Sequence, residues 1–146
     1  MREIKFRAFY GGKMYRVNLI DWDTGILELE TTENDAWEVK IFEVELMQFT
    51  GLLDKNGKEI YEGDVFEEAL LNPERLVLAY NGKVASQINA VVSYIAGCYF
   101  YCPGVGTVYN LNSCKRLTPA NVARCQIIGN LYENPELLNP KHENNL

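Results

Sequence analysis

Apolar and polar side chains alternate in short runs along most of the chain, and glycine, asparagine and aspartate separate the runs. A period of two is the mark of half-buried antiparallel strands. Glu3 to Phe9 sets Ile4, Phe6 and Ala8 against Glu3, Lys5 and Arg7. Gly11-Gly12 then offers the positive φ angles of a tight turn, and Met14 to Ile20 reads as the returning strand. Asp23-Thr24-Gly25 turns the chain into Ile26–Glu30, and Glu33-Asn34-Asp35 is a polar break.

The middle of the chain repeats this grammar. Val44 to Phe49 is a strand that runs into Thr50-Gly51, and Asp54-Lys55-Asn56-Gly57-Lys58 is a strong turn. Ile60 to Phe66 is extended, with Gly63 as a bend. Asn72-Pro73-Glu74 interrupts, and Asn81-Gly82 joins Arg75–Tyr80 to Lys83–Ile95 as a hairpin. Helical signals appear only late. Thr118 can cap a short helix with Pro119 at its first position, Asn134 to Leu138 offers one more turn, and Cys125–Leu131 reads as a strand between them. The pattern predicts a mainly β fold, an antiparallel barrel-like or curled sheet with one or two short helices. It comprises a single domain over residues 1–138 and a polar, frayed tail over 139–146.

Composition agrees with a packed domain. Apolar residues make up 47% and charged residues 23% of 146, a length that needs no metal or disulfide to stand. The formal charge is −6 and the pI near 4.8. The basic residues are scattered along the sequence, with Arg2, Lys5 and Arg7 the nearest to a cluster, so a nucleic-acid partner is not expected. The N-terminus alternates charge with apolar residues and lacks the apolar core of an export signal. The longest apolar stretch, Ala90–Cys102, is broken by Ser93 and Gly97 and is too short to cross a bilayer. A cytoplasmic protein without membrane contact is expected, with Cys98, Cys102, Cys114 and Cys125 as free thiols. Their spacing does not fit a zinc site.

Chemistry is sparse. The one histidine, His142, stands in the tail, which removes serine–histidine and cysteine–histidine triads and histidine-built metal sites unless another chain lends a residue. No cofactor motif is present: Gly104-Val105-Gly106 lacks the third glycine of a dinucleotide loop. Acidic residues crowd Asp54–Asp64, and such carboxylates can hold Mg²⁺, but turn chemistry is the plainer reading of them. Tyr94, Tyr99, Phe100 and Tyr101 could stack single-stranded bases, but no lysine or arginine interleaves with them, so core or interface packing is the plainer reading.

Three segments together carry a resemblance. They are Arg2–Ala8, Leu46–Leu52 continuing through Asp54–Val65, and Ile127–Leu138. In this order they resemble the YopX family of phage and prophage proteins, weakly between Phe66 and Arg124. Phe9-Tyr10 stands where the family commonly has Trp-Asp, and Leu53 where it has a polar residue. The resemblance implies a β-rich intracellular protein of phage origin that assembles with itself, and it supplies no catalytic residues. The resulting expectation is a non-enzymatic accessory module, a homo-oligomer that binds host or phage protein chains. No catalytic residue, metal or cofactor is expected. Tyr61, Glu62 and Asp64 are its candidate surface and binding residues. A small barrel binding single strands and a carboxylate–metal enzyme are the alternatives.

Overall fold

The computed structural model describes residues 3–31, 36–67, 85–87, 89–95, 97–103, 114–138 and 141–142, with backbone alone at 85–87, 101–103 and 141–142. Six strands occupy the first half: β1 Phe6–Tyr10, β2 Lys13–Asp21, β3 Ile26–Leu29, β4 Trp37–Lys40, β5 Glu45–Leu53 and β6 Glu59–Tyr61. Seven follow: β7 Asp64–Phe66, β8 Ala85–Gln87, β9 Ala90–Ile95, β10 Cys98–Pro103, β11 Lys115–Arg116, β12 Ile127–Asn130 and β13 Lys141–His142. The one α-helix described, α1, is Pro119–Val122, and 3-10 turns occupy Ile41–Glu43 and Pro135–Leu138.

The first six strands form one antiparallel sheet in the order β4-β3-β2-β1-β5-β6; a second sheet runs β11-β10-β9-β7-β12, and β13 pairs with β8. The fold is mainly β with two open sheets, so the curled-sheet form of the expectation holds and the barrel does not close. In the first sheet, Ala8, Leu27 and Leu29 are wholly buried, and Tyr15, Val17, Ile20, Ile41 and Leu46 pack around them. Alternation places these residues on one face: Ala8 lies opposite both Tyr15 and Leu46, and Leu27 opposite Ile20. The opposite face carries Arg7, Met47 and Phe49 toward the second sheet. There Ile60, Phe66, Val92, Val122, Cys125 and Ile127 form a separate core.

Most sequence expectations land on real elements. Gly11 and Gly12 both take positive φ, 57° and 86°, at the β1–β2 turn. The Thr118 hydroxyl accepts from Asn121 N at 3.2 Å and Pro119 opens α1. Four expectations change here. The β5 strand continues through Thr50-Gly51 to Leu53, because Gly51 sits at φ 86° inside an irregular ladder to β6. The β4 strand was not expected, since Val39 is its one buried residue and leaves little period to read. The tail contributes Lys141–His142 to a strand pair. The Asn81-Gly82 turn and its first strand lie outside the described residues. Cys98 and Cys125 are free thiols, but Cys114 is disulfide-bonded, against the expectation of four free thiols. Bridging depends on Cα separation, which sequence spacing does not give.

Candidate functional site

Tyr61, Glu62 and Asp64 stand where the chain leaves the first sheet for the second. The Gly63 residue between them takes φ 82°, a left-handed conformation that glycine adopts without strain. Its amide donates to Val92 O at 2.9 Å and its carbonyl accepts from Leu131 N at 2.8 Å, so the turn is sewn to the second sheet on both sides. This geometry turns Asp64 back under β1. The expected surface position is therefore corrected for two of the three residues: Tyr61 and Asp64 are buried, and Glu62 is half-buried.

What these residues build is a polar seam between the sheets. Arg7 Nη2 donates to Asp64 Oδ1 at 2.7 Å and to the Glu62 carbonyl at 3.3 Å, and its guanidinium lies 4.7 Å from the Tyr61 ring centroid. The second Asp64 oxygen accepts the Tyr61 amide at 2.8 Å, and Glu62 Oε1 accepts Gln48 N at 3.1 Å. The Tyr61 hydroxyl donates to Glu59 Oε2 at 3.0 Å, and Lys5 donates to the other Glu59 oxygen. Every carboxylate in the seam thus has its donor. Burial costs the Arg7–Asp64 pair its hydration, which the added bonds to Glu62 and Tyr61 offset. Arg7 Nε is buried without a partner among the described residues, the one loose donor of the seam.

The electrostatics follow. Burial pushes the Asp64 carboxyl up, with the Arg7 charge and the Tyr61 amide opposing it. Burial also raises Glu62, against the Gln48 amide. Glu59 is held low, chiefly by its hydrogen bond from Lys5. The Tyr61 phenol is raised by burial and then by Glu59.

The acidic crowding at Asp54–Asp64 dissolves in the same way. The buried Asp54 carboxylate accepts Asn56 N at 2.8 Å, Lys58 N at 2.9 Å and Ile127 N at 3.0 Å. It closes its own turn and ties that turn to β12. Among the described residues no three His, Cys, Asp or Glu side chains gather as metal ligands. The backbone of His142 lies in β13, and its side chain is outside the description. Cys125 is buried against the helix, its thiol donating to Asn121 O at 3.2 Å and pushed up to about 11 by burial, so it is a weak nucleophile near neutrality.

Sequence reading missed a second feature, on the first sheet. The β1–β2 ladder ends at Arg7 opposite Arg16, so the two strands separate toward Phe6 and Val17. A shallow groove of about 220 Å³ opens there, bordered by the polar Lys5 and Asn18 as well as by Ile4, Phe6, Leu19 and Trp22. Leu19 is outward because a bulge between Val17 and Leu19 breaks the alternation. Leu19, Trp22 and Ile4 are 51%, 66% and 71% exposed, and Trp22 packs edge-on against Phe6. The run Asn18–Trp22 gave no hint of the bulge, which is the signal that would have flagged this lip.

The fold and seam define a class: an open two-sheet antiparallel protein whose central polar motif serves the junction of its sheets. The family model described as YopX protein matches residues 4–139, and the chain belongs to the YopX family. In fold it is similar to the crystal structure of protein EF1440 from Enterococcus faecalis. The TM-score is 0.58 at 23% identity, over 95% of this chain and all of that one. Comparison with curated proteins gives no match. No helix among the described residues is long and apolar enough to cross a membrane.

Proposed function

We propose that this YopX-family protein is a phage or prophage accessory module of the cytoplasm that works by binding protein chains, copies of itself first, and not by catalysis. The observation that carries the reading is the distribution of exposed apolar side chains. Of the six large apolar side chains more than half exposed among the described residues, Ile4, Leu19, Trp22, Trp37 and Phe42 belong to the first sheet and its connections, and Tyr94 to the second. Ile4, Leu19 and Trp22 meet at the groove, and a cluster of exposed apolar side chains of this kind is what interfaces cover. Around the groove the same patch offers both a projecting indole and an open cleft, which suits the self-complementary contact of a two-fold pair. A net charge of −6 opposes self-association elsewhere, but the groove border is nearly uncharged, since Lys5 is engaged by Glu3 and Glu59.

The two tryptophans make the reading measurable. In a Trp37→Phe variant, Trp22 is the sole indole. Its emission is expected to be shielded from acrylamide at high protein concentration and to become quenchable on dilution. Full quenching at every concentration would overturn self-association through this groove.

A further inference from the structure

We propose that the surface around the end of α1 binds single-stranded nucleic acid. The chain is strongly polarised: Arg75–Tyr132 contains no Asp or Glu and carries a net +5, against −11 for the remainder. Charges that look scattered in sequence are gathered by the fold. Asn121 Nδ2 donates to the Arg116 carbonyl at 2.9 Å, and the Asn121 carbonyl accepts the Arg124 amide at 3.4 Å. The next residue, Cys125, accepts the Lys55 amide at its carbonyl at 2.9 Å. One chain of bonds therefore joins the end of β11, the end of α1 and the Asp54–Lys58 turn. Lys55, Lys58, Lys115, Arg116 and Arg124 on these three segments are all exposed. The acid among them, Asp54, is buried with its oxygens on backbone amides; one exposed acid, Glu67, borders the surface beside Gln126.

Aromatic rings lie one strand away. Tyr94 is 57% exposed and its ring centroid is 4.9 Å from that of Tyr99. The Tyr99 carbonyl accepts the Leu117 amide at 2.9 Å, and Phe100 pairs with Arg116. Strand alternation puts Tyr94, Tyr99 and Lys115 on one face and Phe100 and Arg116 on the other, at the edge of the sheet. Cations that track phosphates beside rings that stack bases are the working parts of single-strand recognition, and a duplex, with its bases closed, has no use for the rings. The acidic half of the molecule does not cancel this surface at range, because fields between exposed charges are screened beyond about 10 Å at 0.1 M salt.

Fluorescence anisotropy of a labelled mixed-sequence oligonucleotide, single-stranded or duplex, titrated with the full chain across a salt series, tests the proposal. The single strand is expected to bind more tightly than the duplex, with log K falling against log salt at a slope no steeper than about −3.5, the limit for all five cations meeting phosphates. Arg124→Glu is expected to weaken binding and flatten that slope by about 0.7. Tyr94→Ala is expected to weaken it about tenfold at unchanged slope. Lys13→Glu, the same charge change at an exposed site on the first sheet, should leave binding as it was. Thermal unfolding checks each variant, and Arg124→Gln replaces Arg124→Glu should the latter not fold. Absence of binding at low salt, equal binding of duplex, or equal effects of Lys13→Glu and Arg124→Glu would each overturn the proposal.

Discussion

At the residue scale, carboxylates do structural work that their sequence context disguises. Asp54 reads as a turn aspartate or a metal ligand, but it satisfies three backbone amides, one of them 73 positions away at Ile127. Burial pushes its carboxyl up, and the amides of Ile127, Lys58 and Asn56 outweigh that, so it titrates below its ordinary value of 3.8. A depressed folded-state pKa gives stability that is present above the unfolded value and is lost as pH falls through the folded one. Asp54→Ala should thus cost about 2 kcal/mol near neutrality, by stranding amides that a charged acceptor had satisfied. The gap between variant and parent in urea unfolding should narrow as pH falls below 3.8. Glu62 and Asp64 have the opposite sign: burial raises both, so their contributions are present at low pH and fade as pH rises. Measuring the gap between Asp54→Ala and its parent, rather than stability itself, separates Asp54 from them.

At the element scale, the junction depends on Gly63. A methyl there would stand 3.3 Å from Met47 Sδ and 3.6 Å from a Tyr132 ring carbon, at φ 82°. The thioether can give way, so the backbone strain of a left-handed L-residue is the main cost, roughly 1–2 kcal/mol. Gly57 at φ 79° has nothing within 4 Å of its would-be methyl. Gly57→Ala should therefore cost the strain alone, and Gly63→Ala somewhat more, a difference that chemical denaturation of the two variants reads directly.

Much of this level was legible in the sequence, for reasons that the elements make plain. The turns at Gly11-Gly12, Asn56-Gly57 and Gly63 are local requirements for positive φ, and the Thr118-Pro119 cap is a local hydrogen bond. The β4 edge left little trace because three of its four residues are exposed. The burial of Tyr61 and Asp64 was not legible because their partner, Arg7, stands more than fifty residues earlier. The groove stayed hidden because it arises where a ladder ends, and the basic surface because its members come from three separate segments.

At the scale of the whole molecule, two sheets with separate cores meet across one polar seam and present different surfaces. The first sheet carries Ile4, Leu19 and Trp22 around its groove; the second, with the turn docked on it, carries exposed Lys115 and Arg116 beside Lys55, Lys58 and Arg124. Self-association through the groove is the central claim, and it leaves the cationic surface open to solvent. Light scattering coupled to size-exclusion chromatography tests it most directly, on the wild type and on a variant combining Leu19→Ser with Trp22→Ser. Both replaced side chains are more than half exposed, so the variant should fold as its parent does. A defined oligomer is expected for the wild type and a monomer of about 16.7 kDa for the variant. A monomeric wild type, or an oligomer that the double substitution leaves intact, would contradict it.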